Sequence, residues 1–315
     1  MMNDKLSCIQ IRILISVSVI CLITLLGTAH AEKLKFELAF DIGGEPSFAI
    51  MQDRDGFIWF GSFFNGMVRY DGANVKLFKE GPGSISSDFV TQMFEDSEGI
   101  IWAGTNSGLN RYDKTTNTFT QYFKDPDHPL TTLASNTFNL SSRTIIEDRD
   151  GLLWFGTQSG LSRFDRETES FTNLWHDAND ENSLTSNDIY TVFEDRFGDI
   201  WIGTKHDGAT KYDKKTGTFT RFRHDAKNPN SIPDDEIQAI LEDLQGDLWF
   251  ASRDNGLIRL DRETNTFEHF KHIPGDKSSL PLMSICDFYL SKAGKLILIP
   301  STTATGLIHF DPVAK

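Results

Sequence analysis

Apolar and polar positions alternate along this chain in bursts of four to six residues, and the bursts come in sets of four. The set beginning near Asp188 shows the pattern. Ile189 to Glu194 is an apolar run, "DRFG" (195–198) is a turn signal, and Ile200 to Thr204 is a second run. "KHDG" (205–208) turns the chain again, Ala209 to Tyr212 is a third run, and "DKKTG" leads into the β-branched and aromatic "TFTRF" (218–222). Period-two alternation bounded by Gly- and Asp-containing turns predicts β-hairpins. Signals for helices are nearly absent.

The set recurs as "DGFIWFGSFFNGMVRYD" from Asp55, "EGIIWAGTNSGLNRYD" from Glu98, "DGLLWFGTQSGLSRFD" from Asp150, "GDIWIGTKHDGATKYD" from Gly198 and "GDLWFASRDNGLIRLD" from Gly246. Its tryptophans, at 59, 102, 154, 201 and 249, stand 43, 52, 47 and 48 residues apart. Short strands at a period in the forties predict an all-β fold, a β-propeller with one four-stranded blade per unit. A sixth unit is degraded: "GKLILI" (294–299) puts Ile297 at the tryptophan position, and "GLIHFD" (306–311) follows. "LKFELAF" (34–40) resembles an outer strand and is expected to complete that last blade, giving six four-stranded blades in one domain, 32–315.

Residues 1–31 change the picture. Lys5 and Arg12 precede an apolar stretch from Ile13 to Leu26, and Ala29-His30-Ala31 has the small-x-small pattern of a cleavage site. This reads as a signal peptide cleaved before Glu32, so the domain is expected to be exported without direct membrane insertion. The net charge of −14 disfavours nucleic acid as a partner.

Five tryptophans at one internal strand position suit packing between blades better than a sugar-stacking platform. The "DxxG" turns at Asp53, Asp96, Asp148, Asp195 and Asp243 faintly echo calcium loops, but calcium needs several oxygen ligands from one loop. An Asp bonding its own turn backbone needs only one residue. Glu95, Glu147, Glu194 and Glu242 end the innermost strands, and are expected to be paired or solvated rather than to hold a metal. No metal or cofactor is predicted.

The phrase "DxxGxxWxGTxxGLxRYD" followed by "TxTFTxF" resembles the two-component regulator propeller repeat, over nearly all of 34–311. The resemblance implies a periplasmic ligand-sensing domain, often for oligosaccharides, that relays binding to a membrane-bound signalling protein. The six units depart from the sevenfold rings usual in such sensors. No kinase, receiver or cyclase segment is recognisable in these residues, and no catalytic activity is expected of them.

Function is expected where the copies differ. The turns between strands two and three keep a Gly but vary ahead of it, through Phe63, Phe64, Asn106, Gln158, Lys205, His206 and Arg253. Aromatic faces, amides and cations on one rim suit a small polyhydroxylated or anionic ligand. A second variable column runs up the innermost strands: Phe48, Thr91, Arg143, Tyr190, Gln238 and Cys286. Lys205, His206 and Arg253 would give a positive patch, unless they merely pair with Asp207, Asp254 and the acidic loops. Those loops, 124–136, 176–188 and 224–236, share a Ser-Leu/Ile step (Ser183-Leu184, Ser231-Ile232) that reads as an anchor. Two rival readings remain: an enzyme using His206 with Asp207 or Asp254, and a protein-interaction scaffold whose acidic loops grip a basic partner.

Overall fold

The computed structural model describes residues 47–139, 143–276, 278–281, 284–300 and 307–312. These form antiparallel meanders. Blade one comprises β1 (Ser47–Gln52), β2 (Ile58–Ser62), β3 (Met67–Tyr70) and β4 (Val75–Phe78). Blade two comprises β5 (Val90–Glu95), β6 (Ile101–Thr105), β7 (Gly108–Asp113) and β8 (Thr118–Tyr122). Blade three has β9 (Ile145–Glu147), β10 (Leu153–Thr157), β11 (Gly160–Asp165) and β12 (Ser170–Leu174). Blade four has β13 (Ile189–Glu194), β14 (Ile200–Thr204), β15 (Ala209–Asp213) and β16 (Thr218–Phe222). Blade five has β17 (Ile237–Glu242), β18 (Leu248–Ser252), β19 (Gly256–Asp261) and β20 (Thr266–Phe270). Blade six has three described strands, β21 (Ile285–Leu290), β22 (Leu296–Pro300) and β23 (Ile308–Phe310).

The fold is the β-propeller that the repeat predicts. The signal peptide and the closing strand at 34–40 lie outside the described residues. The innermost strands of successive blades neighbour one another from β1 through β5, β9, β13 and β17 to β21. Blade packs on blade through the repeated "WxG". A Cβ on Gly156 would come within 2.6 Å of Ile189 in the next blade, and one on Gly203 within 2.7 Å of Ile237. Side chains are excluded there because the sheets approach too closely to admit one.

The tryptophans are core. Trp59, Trp102, Trp154 and Trp249 have no exposed surface and Trp201 has 2%. Each indole N–H donates to the Oδ2 of the Asp six residues earlier, at 2.7–2.9 Å, on Asp53, Asp96, Asp148, Asp195 and Asp243. The same carboxylate's Oδ1 accepts backbone N–H groups of its own turn, as Asp148 does from Asp150 (3.0 Å) and Leu152 (2.9 Å). One side chain thus satisfies the buried indole and folds the turn beneath it.

The glutamates ending the innermost strands are paired. Glu194 accepts the Arg149 N–H of the previous blade (2.9 Å) and lies 3.2 Å from the Arg149 guanidinium. Lys214 bridges Glu194 (2.9 Å) to Asp148 (2.9 Å) and Asp150 (2.7 Å). Arg166 does the same for Asp96 and Glu147 (both 2.9 Å), and Arg262 for Asp195 (2.8 Å) and Glu242 (3.9 Å). Lys114 reaches Asp55 (2.5 Å) and Glu95 (3.7 Å). This lower face is a series of ionic staples, each joining one blade to the next.

Candidate functional site

The opposite face carries the variable residues, and its backbone explains why they can vary. The innermost strands slip register by one residue between Ser47 and Ala49, Val90 and Gln92, Ile189 and Thr191, Ile237 and Ala239, and Ile285 and Asp287. The extra residues are Phe48, Thr91, Tyr190, Gln238 and Cys286, which is the predicted column except for Arg143. A bulge takes its residue out of the ladder and re-aims the side chain, so this position is freed from pairing. Thr91 turns back on its own sheet, its hydroxyl donating to Gly104 O at 3.1 Å. Cys286 is also buried.

Above the bulges of blades two, four and five the ladder gains one more pair. The residue after strand two donates its backbone N–H to the residue before the innermost strand: Asn106 to Phe89 (3.2 Å), Lys205 to Asp188 (3.0 Å) and Arg253 to Glu236 (3.4 Å). Residues so opposed have side chains in contact range. Lys205 Nζ accordingly stands 3.7 Å from Asp188 Oδ2, and Arg253 Nη1 stands 3.2 Å from Glu236 Oε1.

Blades four and five therefore bring together Tyr190, Lys205, Gln238 and Arg253 with two carboxylates, Asp188 and Glu236. Gln238 Nε2 donates to Glu236 Oε1 at 2.8 Å, and Asn139 Nδ2 holds Asp188 Oδ1 at 2.7 Å. Tyr190 is 5% exposed, and among the described residues its phenol has no hydrogen-bond partner. Burial raises the phenol's pKa, and Glu236 and Asp188 raise it further, so it remains a donor. Burial also raises Glu236 above the usual carboxylate range, against the opposing pull of Arg253. Both bonds to Glu236 fall on Oε1. Its Oε2 is left as an acceptor without a partner among the described residues, near an equally unspent donor on Tyr190.

The remaining predicted residues lie apart, except His206, which is near enough to Glu236 to act on it electrostatically. Phe63 packs on Phe64 (ring centroids 4.3 Å) and on Phe89 (4.2 Å), an aromatic sector on blades one and two with Phe64 62% exposed. Asn106 and Gln158 are exposed on blades two and three. His206 is exposed, and neither Asp207 nor Asp254 is within hydrogen-bond or ion-pair reach of its ring, so the acid–base pair of the enzyme reading is not formed. The positive patch is not formed either: Lys205 and Arg253 pair with Asp188 and Glu236, the last residues of the acidic loops 176–188 and 224–236, as the alternative expectation had it. Among the described residues no three His, Cys, Asp or Glu side chains are grouped to hold a metal ion.

Sequence reasoning offered the acidic loops as partners without singling out Asp188 and Glu236 within them. The signal was a spacing: Asp188 precedes Lys205 and Glu236 precedes Arg253 by the same interval that separates Phe89 from Asn106. The loop anchors are as read. Ser183 Oγ accepts the Asp177 N–H (2.8 Å), Ser231 Oγ that of Asp225 (2.9 Å), and Leu184 and Ile232 are buried. Ser279-Leu280 is a third copy, with Ser279 Oγ accepting the Ile273 N–H at 2.9 Å. His176, His224 and His272, each bonded through Nδ1 to the Leu or Ile carbonyl of this step, were not anticipated.

The two-component regulator propeller model matches residues 41–64, 84–107, 136–159 and 183–206, covering the second strand and rim turn of the first four units. The histidine kinase P4 of Formosa agariphila is 31% identical over 164 residues, 49% of this chain, and the match spans 11% of that protein. Among solved structures, PorZ of the Porphyromonas gingivalis type-IX secretion system is similar with a TM-score of 0.60 at 20% identity, over 84% of this chain and 38% of that one. The extracellular domain assigned to a hybrid two component system of B. thetaiotaomicron gives 0.56 at 21% identity, over 84% and 38%. Virginiamycin B lyase of Staphylococcus aureus gives 0.57 at 14% identity, over 85% of both chains. At these identities the structural likenesses speak for the propeller fold alone.

Proposed function

Because this chain is a member of the two-component regulator propeller repeat family, we propose that it is an exported sensor module of two-component-type signalling. In this reading residues 1–31 direct export, and the ligand is a small polar or oligosaccharide molecule held at the channel mouth over blades four and five. A membrane-bound signalling protein is then the partner that reads the bound state.

The observation that carries the reading is the pairing of an unspent donor with an unspent acceptor where, among the described residues, bulge and rim residues converge. Tyr190 Oη can donate to a ligand oxygen while Glu236 Oε2 accepts from a hydroxyl, and Gln238 and Arg253 fix the carboxylate between them. Polar atoms held by neighbours before a ligand arrives bind it with little loss of side-chain freedom. With its cations already paired, the mouth suits neutral polyhydroxylated groups.

The test is calorimetric titration of residues 32–315 with a panel of neutral oligosaccharides. Binding of one or more, weakened at least about tenfold by Tyr190→Phe and by Glu236→Gln, supports the reading. Binding that both variants leave unchanged would place recognition elsewhere, with the exposed Phe63–Phe64 sector next to be examined.

A further inference from the structure

Arg143 is the exception among the column residues. Blade three's innermost strand runs only Ile145–Glu147, against six residues in each of the other five. The ladder ends where Gly156 N–H donates to Thr144 O at 2.7 Å. Arg143 has left the sheet. Its carbonyl accepts the Val192 N–H of blade four (2.8 Å), forming an isolated parallel bridge with Thr191. Its side chain crosses the ring: Nη2 donates to Phe288 O at 3.1 Å, and the guanidinium carbon lies 5.1 Å from the Tyr289 ring centroid. Phe288 and Tyr289 belong to β21, three blades away, so the guanidinium lies within the channel.

This cation is poorly matched by the protein around it. A guanidinium has five N–H donors, and the bond to Phe288 O uses one. Among the described residues no carboxylate lies within ion-pair distance of Arg143, in a chain with 45 acidic residues and 31 basic ones. Arg54, Arg149, Arg166, Arg196, Arg253, Arg259 and Arg262 each hold at least one, and Arg69, Arg163 and Arg221, which hold none among the described residues, lie on the third and fourth strands away from the channel. A half-buried charge with donors to spare and no counter-ion favours an anion supplied from outside. The planar fork offers parallel N–H groups to two oxygens of one anionic group.

We propose that Arg143 is an anion subsite inside the channel, taking a carboxylate or sulfate group of a ligand that enters from the mouth. The subsite deepens the sensor reading and rests on it for the neutral remainder of the ligand. The anion is tested alone, so the two can fail separately. An anion bound here competes with Phe288 O for the guanidinium and so acts on the tie between blades three and six.

The probes are sodium sulfate and sodium glucuronate, titrated against sodium chloride at constant ionic strength and followed by thermal shift and calorimetry. Saturable stabilisation is expected for the parent protein and for Arg163→Gln, which removes an arginine of the same blade that lies over Trp154 and outside the mouth, and is expected to be lost in Arg143→Gln. If Arg143→Gln does not fold, Arg143→Lys decides, since it keeps the charge but not the fork. Affinity at least about tenfold weaker in that variant supports the subsite. Equal responses in the parent and the Arg143 variant, or loss in Arg163→Gln, would overturn it.

Discussion

The two faces of the propeller are built from the same repeat and treat it in opposite ways. On the lower face, a position that recurs in sequence recurs in contact: Asp to indole, Glu to the previous turn, Lys or Arg bridging both. On the upper face the backbone recurs, bulge and extra ladder pair alike, while the side chains change from blade to blade. A residue that touches the next copy is constrained by that copy, and a residue lifted out of the ladder by a bulge is not. The lower face is therefore stability held in common, and the upper face is where a rigid scaffold can specialise.

The largest test of this contrast is Trp154→Ala. The ring has no exposed surface, and its removal opens a cavity and leaves Asp148 without one of its donors. The expected loss is about 3 to 5 kcal/mol in denaturant unfolding, with ligand affinity unchanged under conditions where the variant remains folded. A stable variant with selectively impaired binding would reverse the assignment of the two faces.

Two lysines of blade four make the next comparison, because the chemistry is equal and only the face differs. Lys214, with a side chain 13% exposed, holds Asp148 and Glu194, which are 0% and 12% exposed. Lys214→Met leaves those carboxylates without this cation and is expected to cost roughly 2 to 4 kcal/mol. Lys205 stands 3.7 Å from Asp188, both sides about twice as exposed, at 29% and 28%. Lys205→Met is expected to change stability by less than about 1 kcal/mol. Similar melting shifts in the two variants would remove the distinction.

The lower face was nearly all legible in the sequence, because its contacts are local or repeat with the period. The tryptophan reading and the Asp-turn reading both followed from position alone, although the indole-to-Asp bond, written as the six-residue step from Asp148 to Trp154, was overlooked. The upper face was legible only as a set of candidates. Which of them meet depends on how far each side chain leans across a blade boundary, and no period encodes that. Tyr190 and Gln238 reached the same sector as Arg253, whereas Phe63 and Arg143 did not. Arg143 stands apart for a physical reason: the innermost strand of blade three stops at Ile145, so its column residue is displaced from the sheet and not bulged within it.

The mouth itself is tested by Tyr190→Phe and Glu236→Gln. Each removes one polar function with little change of shape, and each is expected to weaken a neutral ligand at least about tenfold, some 1.4 kcal/mol. Melting temperature should move little, since neither unspent atom bonds to the protein. A drop in stability matching the drop in affinity would mean that these groups belong to the scaffold after all.

Acid separates the two faces by the sign of their pKa shifts. Glu236 is raised, chiefly by burial, so on acidification it takes up its proton above the usual glutamate value of about 4.3. Folding gains slightly as that happens, because the buried charge is relieved, but the acceptor at the mouth becomes a neutral acid. Asp195 is lowered: burial would raise it, but the Trp201 indole and the Arg262 guanidinium outweigh burial. Its contribution to stability is complete above the unfolded aspartate value near 3.9 and is lost as pH falls through its lower folded value. Binding should therefore fail first, by a few-fold and with a midpoint above about 4.3, while the fold still holds. Glu236→Gln should flatten that binding profile and leave the acid unfolding midpoint in place. Binding and unfolding that titrate together in the parent protein would show that the mouth and the staples are one system.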